Sequence, residues 1–259
     1  MADFETKRGV FSSRTDATGA YDAGLRKYML SVYNYMFLAL VVTGATAYWI
    51  SGLATTTDPA AAVASLPNGV MLTSIGTLLF GSPLRWLVIF APLGLVLLLN
   101  YRLDRMSLGG AQAAFWVFSG LIGLSMASIF LVFTAMSIAQ VFFITAAAFG
   151  GLSLYGYTTQ KNLSAMGSFL IMGVWGILIA SIVNIFLHSS MMSWVISVAG
   201  VGIFAGLTAY DTQRIKQMYY YVGGNEAVAG KTAIMGALAL YLDFINMFQF
   251  LLSLVGNRR

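Results

Sequence analysis

The chain has 259 residues, of which 59% are hydrophobic and only 9% are charged. Globular domains carry about 25% charged residues, so a soluble protein could not cover this much apolar surface, and an all-α integral membrane protein is predicted. The net charge of +5 comes from basic residues that mostly flank apolar segments, a pattern typical of topology signals rather than of nucleic-acid binding.

Residues 1–27 form the first region of the chain, where basic and acidic side chains alternate with small polar ones. This composition favours a mobile N-terminal tail. A solvated terminus with no task of its own is an equally good interpretation.

Seven apolar segments follow, and each is long enough to cross a bilayer as a helix at about 1.5 Å per residue. They span residues 28–53, 84–101, 111–134, 137–158, 165–187, 191–210 and 232–255. The runs are continuous rather than alternating, which argues against a β-barrel. We therefore expect residues 28–259 to form one seven-helix transmembrane domain.

The basic residues predict the orientation of this domain. Arg102, Lys161 and Arg214 follow the second, fourth and sixth segments, whereas the connection 54–83 holds no Lys or Arg. Because cytoplasmic loops are enriched in Lys and Arg, the N-terminus is predicted to be cytoplasmic. The two C-terminal arginines fit this rule only if the seventh segment is re-entrant, but its length favours a full span.

Two acidic residues are the main candidates for function. Asp243 lies in the middle of the apolar stretch 238–252, and Asp211 lies at the end of the sixth segment, within GLTAYDTQRIK (206–216). Asp at the centre of a membrane helix costs about 2.5–3.5 kcal/mol on insertion scales, so it is protonated, paired or facing a polar cavity. If both acids point into the bundle they can share one proton, because close like charges resist joint ionisation. Such a pair would act as a proton-sensitive latch, and the same carboxylates are the candidate cation ligands.

A second interpretation stays open for Asp211, which can cap its helix at the water interface and pair with Arg214 or Lys216. The two acids also differ in their expected depth in the bilayer, because Asp211 is predicted near the membrane surface and Asp243 near the membrane centre. They meet only if the seventh helix begins outside the bilayer, or if an aqueous cavity lets the sixth helix sit deeper.

Arg102, at the cytoplasmic end of the second segment, is a candidate third member of the latch. A guanidinium group beside Asp211 would favour the ionised carboxylate. An interfacial arginine that contacts lipid phosphate is the alternative.

The other residue types form no catalytic constellation. Cysteine is absent and His188 is the single histidine, which makes zinc sites and a Ser-His-Asp triad improbable. Intramembrane aspartyl proteases pair a YD motif with GxGD. The chain has YD at 210–211, but Tyr241 and Leu242 precede its second acid. We therefore expect no enzymatic activity and no cofactor.

The stretches GLTAYDTQRIK (206–216) and ALALYLDFINMF (237–248) resemble the acidic motifs of the Bax inhibitor-1 family, also called the transmembrane Bax inhibitor motif family. Residues 26–44, 155–173 and 181–190 fit this family as well. The likeness therefore covers nearly the whole chain beyond the tail, and it is greatest to the bacterial branch.

The resemblance implies a seven-helix fold whose last helix is surrounded by the other six. It also implies that Asp211 and Asp243 form a hydrogen-bonded pH-sensing pair, restrained by Arg102, in a calcium leak of the bacterial inner membrane. In that scheme, protonation weakens the contact with Arg102 and frees the second helix. One departure is that such leaks can carry a Glu in the second helix, whereas residues 91–99 contain no acid.

Other bacterial relatives imply a different class of function. They resemble non-conducting modulators of a membrane-anchored AAA protease, which would grip the N-terminal tail. A deletion of residues 2–25 separates the two classes, because only a modulator would lose its effect.

Overall fold

The computed structural model describes residues 2–102, 106–222 and 226–259, and long helices dominate it. The helices are α1 Ala2–Ala54, α2 Ser74–Gly76, α3 Leu84–Arg102, α4 Leu108–Met126, α5 Ile129–Val132, α6 Ala135–Thr158, α7 Ser164–Leu187, α8 Ser190–Val222 and α9 Glu226–Val255. Three two-residue strands, β1 Thr55–Thr56, β2 Ala64–Ser65 and β3 Met71–Leu72, form an antiparallel sheet in the order β1-β3-β2. A 3-10 turn at Pro59–Ala61 and a π-helical turn at Thr77–Gly81 complete this connection.

Six of the described helices are long and apolar enough to cross a membrane by length and composition. A seventh span results if the bent pair Ser74–Gly81 and Leu84–Leu99, which meet at 62°, counts as one. The break between them contains Pro83, which has no backbone N–H to continue a helix. The predicted all-α integral membrane architecture is thus confirmed.

The predicted boundaries agree within about two residues for the second, fourth and fifth segments. The third segment is broken, because α4 ends at Met126 and α5 begins at Ile129. The sixth was predicted to end at residue 210, and this is wrong, because α8 continues to Val222. Helix α1 begins at Ala2, and mobility of residues 1–27 stays a prediction.

Helix α9 forms the core of the bundle. Of the 18 consecutive residues that are most apolar in each helix, 50% are buried in α9 and 6% in α7. Its main packing partners are α1, α4, α6 and α8. The side chains of Leu240 and Tyr241 in its middle are fully buried. Asp243 therefore lies on the innermost helix, although its enclosure by all six others stays a prediction.

The end of α9 shows how the C-terminus is held. The helix is unbroken, which agrees with the full span expected from its length. Beyond it, the backbone N–H of Thr134 donates to the Asn257 carbonyl at 3.1 Å, and that of Arg259 donates to the Val132 carbonyl at 2.9 Å. The Asn68 amide in the 54–83 connection donates to α5 at 2.7 Å. The C-terminus and the small sheet therefore close the same end of the bundle.

Candidate functional site

Helices α8 and α9 run antiparallel and approach closely at two glycines. A Cβ atom added at Gly200 would lie 2.5 Å from the Phe250 ring, and one at Gly236 would lie 3.1 Å from the Ile215 side chain. Small residues permit such close approach between membrane helices. These two contacts fix the register of the helices on either side of the acids.

Asp211 and Asp243 lie between those contacts, and their carboxyl groups are close enough to influence each other directly. Helical side chains lean toward the N-terminus of their own helix. In an antiparallel pair, the two side chains therefore lean toward each other. Asp243 lies about three residues further along α9 than the position opposite Asp211, and the lean of the two side chains closes this gap.

The difference in depth that the sequence suggested disappears in this arrangement. Helix α8 continues past Asp211 to Val222, a further 16 Å or so, roughly three turns. Helix α9 begins nearby at Glu226, so both helices extend well beyond the acids. Asp211 is therefore not a helix cap, and that part of the second interpretation is wrong.

The two acids have unequal surroundings. Asp243 is 4% exposed, and its Oδ2 atom has no hydrogen-bond partner among the described residues. The side chain of Asp211 is 14% exposed, and its Oδ1 atom lies 3.9 Å from a guanidinium nitrogen of Arg214. The pairing with Arg214 that the sequence left open is thus present. The carboxyl group of Asp243 is therefore almost fully buried, whereas that of Asp211 is partly exposed.

A cavity of about 250 Å³ opens beside Asp211. Its walls include Asp211 and Arg214 of α8, Val96 of α3, and Gly236 and Leu242 of α9. A water molecule takes up about 30 Å³ in the liquid, so there is room for several waters or a hydrated ion. Three helices thus contribute to one chamber, and α3 forms one of its walls.

Arg102 ends α3 with an exposed side chain. Within residues 2–102, 106–222 and 226–259, the ion pair of Asp211 is made with Arg214 instead. The contact between Arg102 and Asp211 therefore stays a prediction. The described part of the chain also has no group of three or more His, Cys, Asp or Glu that could hold a metal. A cation at the acid pair would take its remaining ligands from carbonyl groups and water.

A chain of buried hydroxyl groups joins α9 to α1 and α4. The Thr43 hydroxyl donates to the Ser119 carbonyl at 3.0 Å and lies 2.6 Å from the Tyr241 hydroxyl. Because a hydroxyl has a single proton to donate, Tyr241 is the donor to Thr43. These hydrogen bonds fix α9 at Tyr241, which lies about half a helical turn from Asp243.

A second hydroxyl chain joins α8 to α6 and α1. Thr212 donates to the Thr208 carbonyl at 2.7 Å, so it accepts from Ser153, whose hydroxyl lies 3.0 Å away. By the same reasoning, the Tyr33 hydroxyl donates to Ser153 at 2.5 Å. Sequence reasoning missed both chains. Polar residues in apolar segments signal hydrogen bonds between helices, but they do not reveal the partners.

Polar residues beyond Asp211 hold the turn between α6 and α7. The Gln213 side chain accepts from the backbone N–H of Leu163 at 2.9 Å and donates to the Lys161 carbonyl at 2.8 Å. Lys216 donates to the Tyr157 carbonyl at 2.9 Å. The polar end of α8 is therefore a structural anchor.

Residues 25–259 match the model of a family described as inhibitor of apoptosis-promoting Bax1. The chain belongs to the Bax inhibitor-1 family. The match covers every membrane span and both acidic motifs, as the resemblance of those motifs predicted.

Bacterial relatives of this Bax inhibitor-1 family chain are similar over 95% or more of its length. A Caulobacter vibrioides protein is 46% identical over 261 residues, or 100% of each chain. A Rickettsia prowazekii protein is 45% identical over 245 residues, or 95% of each chain. The inner membrane protein YbhL of Escherichia coli is 40% identical over 249 residues, or 95% of this chain and 98% of YbhL. The similarity therefore extends well beyond the acidic motifs.

Proposed function

We propose that the protein is a pH-sensitive calcium leak of the bacterial inner membrane, controlled by a proton shared between Asp211 and Asp243. The observation that carries this proposal is the pair itself, in which a buried acid with an unpartnered oxygen meets a second acid at the edge of a cavity. The similarity to YbhL supports the inner membrane, and the basic residues support a cytoplasmic N-terminus.

The proton controls the charge that the acid pair presents to the cavity between α8, α9 and α3. While the pair shares one proton, a hydrogen bond joins the helices and a single negative charge faces Arg214. Loss of that proton leaves two adjacent negative charges, and the Oδ2 atom of Asp243 has no hydrogen-bond partner among the described residues to offset its own. Repulsion then favours separation of the carboxylates, or entry of a cation between them. Calcium suits such a site, because it takes carboxylate, carbonyl and water oxygens.

The cavity provides the entrance for the ion. Val96 of α3 closes one side of it, so a displacement of α3 would widen the chamber and admit water and a hydrated cation. Flux is therefore expected to rise with pH. The scheme with Arg102 gives the opposite sign, because there protonation is what frees the second helix.

Calcium flux into proteoliposomes, followed with an internal indicator from about pH 5.5 to about pH 8, tests the proposal. Wild-type flux should rise several-fold over this range, whereas Asp243→Asn should be insensitive to pH. Asp58→Asn is the matched control. The Asp58 carboxylate caps a 3-10 turn by accepting from Ala60 N–H, a role that Asn fills equally well.

Two outcomes would count against the leak. An unchanged pH profile in Asp243→Asn would exclude control by the acid pair, and absence of flux in the wild type would exclude conduction. The modulator of a membrane-anchored AAA protease would then be the better account, and deletion of residues 2–25 should abolish its effect on the protease. Neither function requires enzymatic activity or a cofactor.

A further inference from the structure

A second cavity, of about 350 Å³, lies where α1 enters the bundle beside the end of α8 and the start of α9. It is lined by Lys27, Tyr28 and Ser31 of α1, Tyr219 of α8 and Gly230 of α9, with small residues between them. None of these residues lines the cavity beside Asp211. It is therefore a separate site that the proposed leak does not use.

The membrane spans place this cavity at the level of the lipid headgroups. Lys27 comes directly before the apolar stretch of α1, Lys216 lies in the last turns of α8, and Lys231 comes directly before the apolar stretch of α9. These three boundaries meet around the cavity, at the end of the bundle that is predicted to face the cytoplasm. Tyrosine is typical of this level, where its ring is in contact with lipid and its hydroxyl with polar groups.

Tyr28 shows that the cavity is built for a polar ligand. The residue is 5% exposed, and its hydroxyl has no hydrogen-bond partner among the described residues. Buried polar groups are nearly always paired, so an unpaired hydroxyl at a cavity wall indicates a partner that occupies the cavity.

The other lining groups define the chemistry of that partner. Lys27 contributes a positive charge and three N–H donors, and Ser31 contributes a second hydroxyl. Among the residues whose side chains the structure describes, the lining contains no acidic group. A ligand that satisfies Lys27, Tyr28 and Ser31 together must carry negative charge and several acceptor oxygens, and a phosphate group has both.

An adjoining groove favours a lipid over free phosphate as the source of that group. The groove shares Lys27 and Ser31 with the cavity, and it also contains Arg26 and the exposed side chains of Leu30 and Leu38. Basic residues thus lie at the membrane surface, and the leucines follow along α1 into the hydrocarbon. This order, with basic groups at the surface and apolar groups deeper, matches the headgroup and acyl chains of a phospholipid. Basic pockets between membrane helices bind anionic headgroups.

We propose that this cavity binds the phosphate group of an anionic phospholipid, with Lys27 supplying the charge and Tyr28 and Ser31 donating hydrogen bonds. The lipid joins α1 to the α8–α9 pair at the membrane surface. Gly24 allows α1 to approach Tyr219 closely, because a Cβ atom at this position would collide with the Tyr219 hydroxyl. This close approach keeps the site narrow.

The test measures the unfolding temperature of the full chain in maltoside detergent with phosphatidylglycerol, phosphatidylcholine or inorganic phosphate added. Phosphatidylglycerol should raise this temperature most, and Lys27→Gln should need about 10-fold more of it for the same shift. The matched control is Lys161→Gln, because the side chain of Lys161 is exposed in the α6–α7 turn. It should respond like the wild type.

Tyr28→Phe gives the sharpest readout because its effect should change sign. Without lipid, removal of an unpaired buried hydroxyl should leave the unfolding temperature unchanged or raise it. With phosphatidylglycerol, the same variant should gain less stability than the wild type. A loss of stability under both conditions would mean that the hydroxyl has a structural partner and would overturn the site.

The remaining outcomes also decide the proposal. Equal shifts in the wild type, Tyr28→Phe and Lys27→Gln would overturn it. A full shift with inorganic phosphate alone would overturn the assignment to a lipid, and an equal shift with phosphatidylcholine would overturn the requirement for an anionic headgroup. If Lys27→Gln does not fold, Ser31→Ala replaces it with the same expected direction.

Discussion

Helices α8 and α3 line the same cavity but are held in different ways. Helix α8 packs against α6, α7 and α9, with Gly156 of α6 against the Ala209 backbone and Gly167 of α7 against the Tyr210 ring. Helix α3 packs mainly against α4 and the π-helical turn before it, and side chains such as Leu97 are exposed. One wall of the cavity is therefore rigid and the other is weakly held.

This contrast separates the part that senses the proton from the part that moves. Closely packed helices resist small displacements, because every shift costs many contacts at once. Elements with few buried contacts open at lower free energy. A change of charge at Asp211 should therefore leave α8 in place and displace α3.

The largest expected effect comes from loosening the rigid wall. Gly156→Ala puts a methyl group against the Ala209 backbone, which cannot move aside. We expect a loss of about 1–3 kcal/mol in the free energy of unfolding, as for other overpacked cores. The measurement is an unfolding titration of the purified protein in detergent.

Gly151→Ala provides the matched control, because it lies on the same helix and its added Cβ would meet nothing within 4 Å. It should be neutral or slightly stabilising, since Ala favours helix over Gly. Equal losses in both variants would show that α6 does not hold α8 through this contact.

The sequence predicted the long helices well, because continuous apolar runs of this length have few alternatives to a membrane span. It failed at the end of α8, where Asp211, Gln213 and Arg214 look like a loop. Their partners lie elsewhere in the chain: Gln213 reaches Lys161 and Leu163. Distant partners leave no mark on local composition, so helix α8 was predicted too short.

The candidate site, too, was predictable from the sequence only in part. An acid in an apolar segment is visible without a structure, because its cost in lipid demands an explanation. That Asp211 and Asp243 meet depends on helix register and side-chain lean, which the segment boundaries did not provide. The hydroxyl groups of Thr43 and Tyr241 were equally hidden, because their residues are far apart in the chain and each is common in membrane helices.

An intermediate effect is expected at the hydroxyl chain, which tests whether α1 is held as firmly as α8. Tyr241→Phe removes the hydrogen bond to Thr43 and should cost about 1 kcal/mol in the free energy of unfolding. Combined with Thr43→Val in a double-mutant cycle, the coupling energy should be about 0.6 kcal/mol, as for other hydrogen bonds in membranes.

The control is Tyr221→Phe, which makes the same chemical change at a side chain that is 90% exposed. It should leave the free energy of unfolding unchanged. If the coupling energy between Thr43 and Tyr241 is zero, α1 belongs with α3 among the weakly held helices.

The smallest expected effect tests directly whether α3 is the wall that moves. The chain has no cysteine, so Val96→Cys introduces a unique thiol at the cavity. Its labelling by a water-soluble maleimide should be faster at high pH, but every thiol also becomes more reactive as it ionises. The same substitution in an Asp243→Asn background has the same thiol chemistry without the acid pair. We therefore expect labelling at about pH 8 to be roughly threefold faster with the pair intact, a difference of about 0.65 kcal/mol.

The matched control is Leu207→Cys, at a buried position of α8, which should stay protected from labelling in both backgrounds. Labelling at Leu207 without a change at Val96 would reverse the comparison and make α8 the moving wall.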